Sequence, residues 1–204
     1  MILYKYTSLK YIKSCFEYGV FASTLNNVND PYEVYGIDYP DEYRICCMTK
    51  KAYMPLMWAY YGNHQGCCIG FEIPNDSGFR AIQYLKKFEN HDKMNNSEII
   101  DSLYHKGYEW KHEKEYRAVY YSEKHDNRWC IVGKNVFFRA KVKSVILGYR
   151  SQLANEYRET LEYLKEQDVE ISKCKLKNNR YEFYSNRQFD INLELKSLPI
   201  PEFI

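Results

Sequence analysis

W-K-H-E-K-E-Y-R, residues 110 to 117, runs directly into Ala118-Val119-Tyr120-Tyr121, and the fold turns on how this stretch is read. Its β-branched and aromatic end is sheet-like. If the strand includes the charged half, alternation with period two puts Glu113, Glu115 and Arg117 on one face. Two carboxylates and a guanidinium converging there need a reason, because ionised groups are rarely buried without partners. One reading is a site carboxylate held by an arginine. The other is a solvated edge strand carrying a surface ion pair.

Outward from this stretch, the chain mixes strands and helices. Ile2 to Tyr6 reads as an opening strand, and Thr7 or Ser8 can cap a helix through Tyr18 that ends at Gly19. Further strands are expected at 20–23, 43–48, 67–73, 115–121, 129–132, 136–138 and 142–147. Others follow near 169–176, 181–183 and 189–195. Helices are expected at 53–61, with Pro55 in the first turn, and at 77–88, 97–104 and 151–167. The polar stretch 89–96 reads as an exposed connection. Regular βαβ alternation is absent, and no G-x-G-x-x-G or Walker loop follows a strand, so the parallel-sheet nucleotide folds are not supported. The expectation is a single α+β domain over residues 1–204, with a mixed or antiparallel sheet and flanking helices. Its motif-bearing part is 1–150, and 151–204 form a C-terminal helix and strands.

Composition narrows the class. The 204 residues suit one domain with a sizeable core, and 45% apolar with 27% charged content is ordinary for a soluble protein. Tyrosine stands out, since 22 Tyr, 10 Phe and 3 Trp make 17% of the chain aromatic. Such rings keep a polar tip, which suits wet pockets and stacking on planar ligands. An AT-rich genome's codon usage accounts for the excess equally well. A net charge of +2 makes no global field for nucleic acid, although a local basic patch is compatible with it. No apolar run approaches the roughly 18 residues of a membrane span and no signal peptide is evident, so a cytoplasmic protein is expected. Seven cysteines, with two adjacent pairs, make a poor disulfide framework and lack zinc-site spacing. No metal is expected.

Three further segments could carry chemistry. In L-Y-K-Y-T-S, Tyr4 and Tyr6 share one face of the strand, and Lys5 and Thr7 the other. A lysine and a hydroxyl at a strand mouth can hold a phosphate or a ribose hydroxyl, and a surface lysine with a capping threonine accounts for the same residues. In Asn29-Asp30-Pro31-Tyr32-Glu33, Pro31 holds Asp30 extended and sets Asp30 and Glu33 side by side on a loop. Turn chemistry alone explains this as well. Third, Met57 to Glu72 passes from a helix bearing Trp58 and Tyr61 at i, i+3, with Tyr60 beside them, through a polar loop with His64, into an apolar strand. That describes one wall of a pocket for a planar ligand, or ordinary core packing.

Taken in order, the blocks Leu3–Tyr6, Asn29–Glu33, Met57–Phe71 and Glu113–Arg117 resemble a large bacterial domain family with L-Y-K-Y, N-D-P-x-E, M-W-x-x-Y…G-x-C-I-G-F and E-x-E-Y-R motifs. That family is distantly similar to the ADP-ribosyltransferases, including toxin and phage-defence members. The resemblance implies NAD as substrate and a macromolecular acceptor, protein or nucleic acid, with an antitoxin as a further partner. It implies Glu115 or Glu113 as the catalytic glutamate, oriented by Arg117. It implies NAD contacts from Tyr4, Lys5, Thr7, Asn29, Asp30, Glu33, Trp58, Tyr60, Tyr61 and His64. Lys5 departs from the pattern, which has His or Arg there. The chemistry is coherent, because cleaving NAD passes through an oxocarbenium-like ribose that a carboxylate stabilises. A non-catalytic nucleotide or nucleic-acid binding module is the alternative. A third reading places Mg²⁺ on Asp30, Glu33 and Glu113 for nucleic-acid hydrolysis.

Overall fold

The alternation expected at residues 115–121 is realised as a strand, and the elements that position the candidate site are built around it. The computed structural model describes residues 1–87, 90–176 and 183–186. In chain order the elements are β1 (Ile2–Thr7), α1 (Ile12–Tyr18), β2 (Val20–Thr24), β3 (Tyr43–Thr49), α2 (Pro55–Tyr60), β4 (Cys67–Glu72), β5 (Arg80–Ala81), β6 (Gln83–Leu85) and α3 (Asn96–Ser102). There follow β7 (His105–Gly107), β8 (Glu115–Tyr121), β9 (Trp129–Val132), β10 (Asn135–Phe138), β11 (Lys141–Leu147), α4 (Asn155–Glu166), β12 (Glu170–Leu176) and β13 (Phe183–Asn186). Helices with a mostly antiparallel, mixed sheet make this an α+β fold, as the sequence implies. The chain divides into two compact units, one of residues 1–5, 14–52 and 70–142, the other of 6–13, 53–69 and 143–204. No helix among the described residues is long and apolar enough to cross a membrane.

In the first unit, β8 pairs antiparallel with β3 along its whole length, from Tyr43 opposite Tyr121 to Thr49 opposite Glu115. Its other edge takes β5, with Arg80 opposite Arg117. Period-two alternation then puts Tyr43, Ile45 and Cys47 on the same face as Arg117, Val119 and Tyr121. The far part of this face is apolar: Tyr43, Ile45 and Tyr121 bury against Leu25, Ile37, Ile99 and Leu103. Tyr43 and Tyr121 stack at 5.0 Å. A capping box at Asn95 and Glu98 starts α3, which carries Ile99 over the sheet. The near part of the face carries Glu115 and Arg117.

In the second unit, β11 and β12 pair parallel, Val145 opposite Ile171, across the α4 crossover. α4 buries Leu161 and Leu164. Trp58 of α2 is buried edge-on against Tyr6, with ring centroids 5.1 Å apart.

Several expectations are corrected. Within the helix expected at 77–88, the described residues 77–87 do not form one: Gly78 has φ +83°, and the segment is drawn into β5 and β6. There Ile82 N donates to the Glu115 carbonyl and Gln83 N to that of Tyr104, so tertiary pairing overrides local propensity. Residues 108–113 form a 3₁₀ helix closed by Lys114 at φ +49°, so the strand begins only at Glu115. The first helix is split, with a 3₁₀ turn at Leu9–Tyr11 before α1. In the stretch 89–96, expected exposed, His91 is buried and its Nδ1 lies 2.7 Å from the Tyr35 carbonyl oxygen. The helix expected from 151 begins at Asn155. The strand readings at 181–182 and 189–195 fall outside the described residues.

Candidate functional site

Four short pieces of the first unit deliver five ionisable side chains to one place. β8 supplies Glu115 and Arg117 on one face. The 3₁₀ helix before it supplies Glu113, which reaches the cluster because the left-handed Lys114 turns the chain, and not by strand alternation. β7, paired in parallel with β6 so that Lys106 stands opposite Tyr84, supplies Lys106. The 3₁₀ turn Pro31–Glu33 supplies Glu33. Asp30 caps that turn, its Oδ1 accepting from Tyr32 N at 3.1 Å. Its Oδ2 accepts from Gly107 N at 3.0 Å, tying the turn to β7.

All five side chains are buried, Arg117 completely at 0% exposure. Arg117 Nε and Nη2 grip the two oxygens of Glu115 at 2.7 and 3.0 Å. Nη2 also donates to Glu33 Oε1 at 2.6 Å, and Nη1 to the Leu103 carbonyl at 2.6 Å. Lys106 Nζ donates to Glu113 Oε2 at 2.5 Å and to Glu115 Oε2 at 3.1 Å. It also stands 5.0 Å from the centre of the Trp110 ring.

Three carboxylates against two cations leave the buried cluster one negative charge in excess if all are ionised. The protonation balance follows. Burial would raise the Glu115 carboxyl, but Arg117 and Lys106 outweigh it and hold it down at about 2. Burial would lower Lys106, yet Glu115, Glu33 and Glu113 together keep it above its ordinary range. At Glu33 burial wins: its carboxyl is raised despite Arg117 and Lys106. Of Glu33 and Glu115, proton uptake therefore falls first on Glu33.

A cleft of about 250 Å³ opens on the cluster, lined by Asp30, Glu33, Ser102, His105, Lys106 and Glu109, with Tyr32, Lys86, Lys87 and His91 also on its walls. Glu33 and Lys106 line it, whereas Glu113, Glu115 and Arg117 do not. Glu33 Oε2 is buried and, among the described residues, accepts no hydrogen bond. A buried carboxylate oxygen left this way costs free energy unless something meets it. Such a site can take a hydroxyl or N–H donor at Glu33.

Of the residues singled out from sequence, the structure brings together Asp30, Glu33, Glu113, Glu115 and Arg117. Asn29 is exposed beside them. Tyr4 and Lys5 belong to the same unit, Tyr4 opposite Thr49 and Lys5 Nζ donating to the Cys47 carbonyl at 3.4 Å. Thr7, Trp58, Tyr60, Tyr61 and His64 belong to the other unit. There Trp58 packs on Tyr6, Tyr60 is 52% exposed, and His64 lies 5.2 Å from the Tyr149 ring. Among the described residues no group of three His, Cys, Asp or Glu side chains is placed to hold a metal ion. Of the carboxylates in the Mg²⁺ reading, Asp30 accepts from two backbone amides, Glu33 Oε1 from Arg117 and Glu113 Oε2 from Lys106.

Lys106 was missed in the sequence. In Tyr104-His105-Lys106-Gly107 it carries no motif. Charge balance was the available signal, since the carboxylates of a buried site require more than one cation. Compared with known proteins, the chain matches no family model, no curated protein and no solved structure.

Proposed function

We propose that the chain is a nucleotide-handling enzyme of the ADP-ribosyltransferase kind, whose cleft at Glu33 and Lys106 takes the ribosyl part of NAD. The observation that carries this reading is Glu33, a buried carboxyl that burial makes a weaker acid than usual, one oxygen held by Arg117 and the other unpartnered beside a cleft. A carboxylate so placed can accept from a ribose hydroxyl and stabilise the positive charge that builds on the ribose as its bond to nicotinamide breaks. Nicotinamide then leaves as the neutral base. An acceptor nucleophile bonds to the anomeric carbon, and its proton passes to the carboxylate. At about 250 Å³ the cleft lies below the range for whole drug-sized ligands, which suits one part of a dinucleotide. In this reading Glu33 meets the substrate, while Glu113, Glu115 and Arg117 are positioning residues. The seven free thiols support a reducing, cytoplasmic setting.

The test is NAD binding by calorimetry together with nicotinamide release, on wild type and Glu33→Gln. Wild type should bind and release nicotinamide, and Glu33→Gln should fold, bind and release none. A folded wild type that binds no NAD would sink the reading. One observation favours a second reading, a non-catalytic nucleotide-binding module: both oxygens of Glu115, the glutamate that the resemblance makes catalytic, are engaged internally. NAD binding without nicotinamide release from wild type would establish it.

A further inference from the structure

The rim of the same cleft is basic and aromatic. Lys86 and Lys87 lie on its wall and are exposed. Lys86 Nζ stands 5.5 Å from the centre of the Tyr108 ring, and Lys111 Nζ stands 5.0 Å from the same ring. Tyr108 is 41% exposed, and Tyr32, on the cleft wall, is 59% exposed. Among the described residues none of Lys86, Lys87 and Lys111 is paired with a carboxylate, although Glu109 is exposed on the same rim. With a net charge of only +2 in the whole chain, this gathering of cations is local.

We infer that this rim is a landing surface for single-stranded nucleic acid. Lysines not neutralised by a carboxylate can meet consecutive phosphates. Exposed tyrosine rings offer stacking platforms that accept any base, because every base has a π-face. The combination selects a single strand over a duplex, in which the base faces are already covered. An acidic peptide would satisfy the lysines but would leave the rings unused. As the acceptor surface of a transferase the rim rests on the preceding reading. As a nucleic-acid surface it does not, so the test omits NAD.

Fluorescence anisotropy of a labelled, mixed-sequence single-stranded DNA would be followed against salt for wild type, for Lys86→Ser with Lys87→Ser, for Lys111→Ser and for Tyr108→Ala. Three phosphate contacts give a log–log salt slope of about −2, and removing two of them leaves about −0.7. Tyr108→Ala should weaken binding about tenfold at fixed salt. Circular dichroism would confirm that each variant is folded. No binding by wild type at low salt overturns the inference, as does binding undiminished in the lysine variants. A polyphosphate of matched charge that competes with equal affinity reduces the surface to a general polyanion patch and also overturns it. Nicotinamide release is read in separate samples. Its absence beside intact DNA binding strikes the transferase reading alone.

Discussion

Arg117 Nη2 donates to Glu33 Oε1 at 2.6 Å across 84 residues of chain, and neither residue is exposed. One stands on a central strand, the other in a 3₁₀ turn fixed by Pro31 and capped by Asp30. Burying such groups is expensive, and a well-packed apolar substitute is often as stable. The arrangement is better understood as fixing the position of one carboxylate at a cleft than as a source of stability.

Arg117→Gln should therefore destabilise the fold by about 3–5 kcal/mol, because it strands Glu33 and Glu115 without their guanidinium. Arg117→Lys should recover little of this, since one ammonium cannot reproduce the fork that serves two carboxylates and a carbonyl. Urea denaturation measures both. A loss below about 1 kcal/mol in either variant would mean that water reaches the cluster.

How far the sequence disclosed this site depends on the range of the forces involved. Glu115 and Arg117 were legible because strand alternation is local, and Asp30 with Glu33 because Pro31 restricts its own turn. Alternation groups Glu113 with this cluster only by coincidence, as the left-handed Lys114 that brings it there carries no signature that alternation detects. Lys106 was invisible, because its partners are set by the pairing of β6 with β7. That pairing, with the pairing of β5 to β8, draws Arg80–Ala81 and Gln83–Leu85 into strands where a helix is expected. The aromatic helix at Trp58 carried a persuasive pattern, and that pattern serves packing against Tyr6 in the other unit.

Acid should unfold the protein through Glu115. In the fold its carboxyl is held at about 2, against an ordinary 4.5. Its contribution is complete above pH 4.5 and is lost as the pH falls toward 2, on the order of 3 kcal/mol in all. Glu33 works in the opposite sense. Its raised carboxyl favours the fold in acid, and that contribution disappears as the pH rises through its folded value. Lys106, held above 10.5, contributes below that pH and is lost only in stronger base. Glu115→Gln should be less stable than wild type at neutral pH and should show a flatter acid limb between pH 4.5 and 2. Equal acid limbs in denaturation midpoints would rule out Glu115 as the source.

Asp30 joins two backbone amides that are 75 residues apart in sequence, Tyr32 N and Gly107 N. Asp30→Ala should cost about 1–2 kcal/mol, the usual price of a lost cap together with a second unmade hydrogen bond. Hydrogen exchange at Gly107 should accelerate with it. An unchanged rate at that amide would mean that the Asp30 carboxylate does not protect it.

In the second unit the chain after β11 docks backbone to backbone on the loop 62–66. Gly148 N donates to the Gly66 carbonyl at 2.9 Å and Arg150 N to that of His64 at 3.0 Å. Ser151 Oγ lies 2.7 Å from the Gln65 carbonyl oxygen and 2.8 Å from that of Gly66. A Cβ on Gly148 would sit 2.2 Å from the His64 carbonyl oxygen, a contact that only backbone movement can relieve. Gly148→Ala should therefore cost about 3 kcal/mol, the upper end of overpacking. Gly133→Ala isolates the other cause of glycine dependence: nothing lies within 4 Å, but φ is +59°. That substitution should cost only about 1 kcal/mol. Thermal denaturation of the two variants compares the terms directly. Gly148→Ala melting no lower than Gly133→Ala would show that the loop yields and that the close approach holds nothing in place.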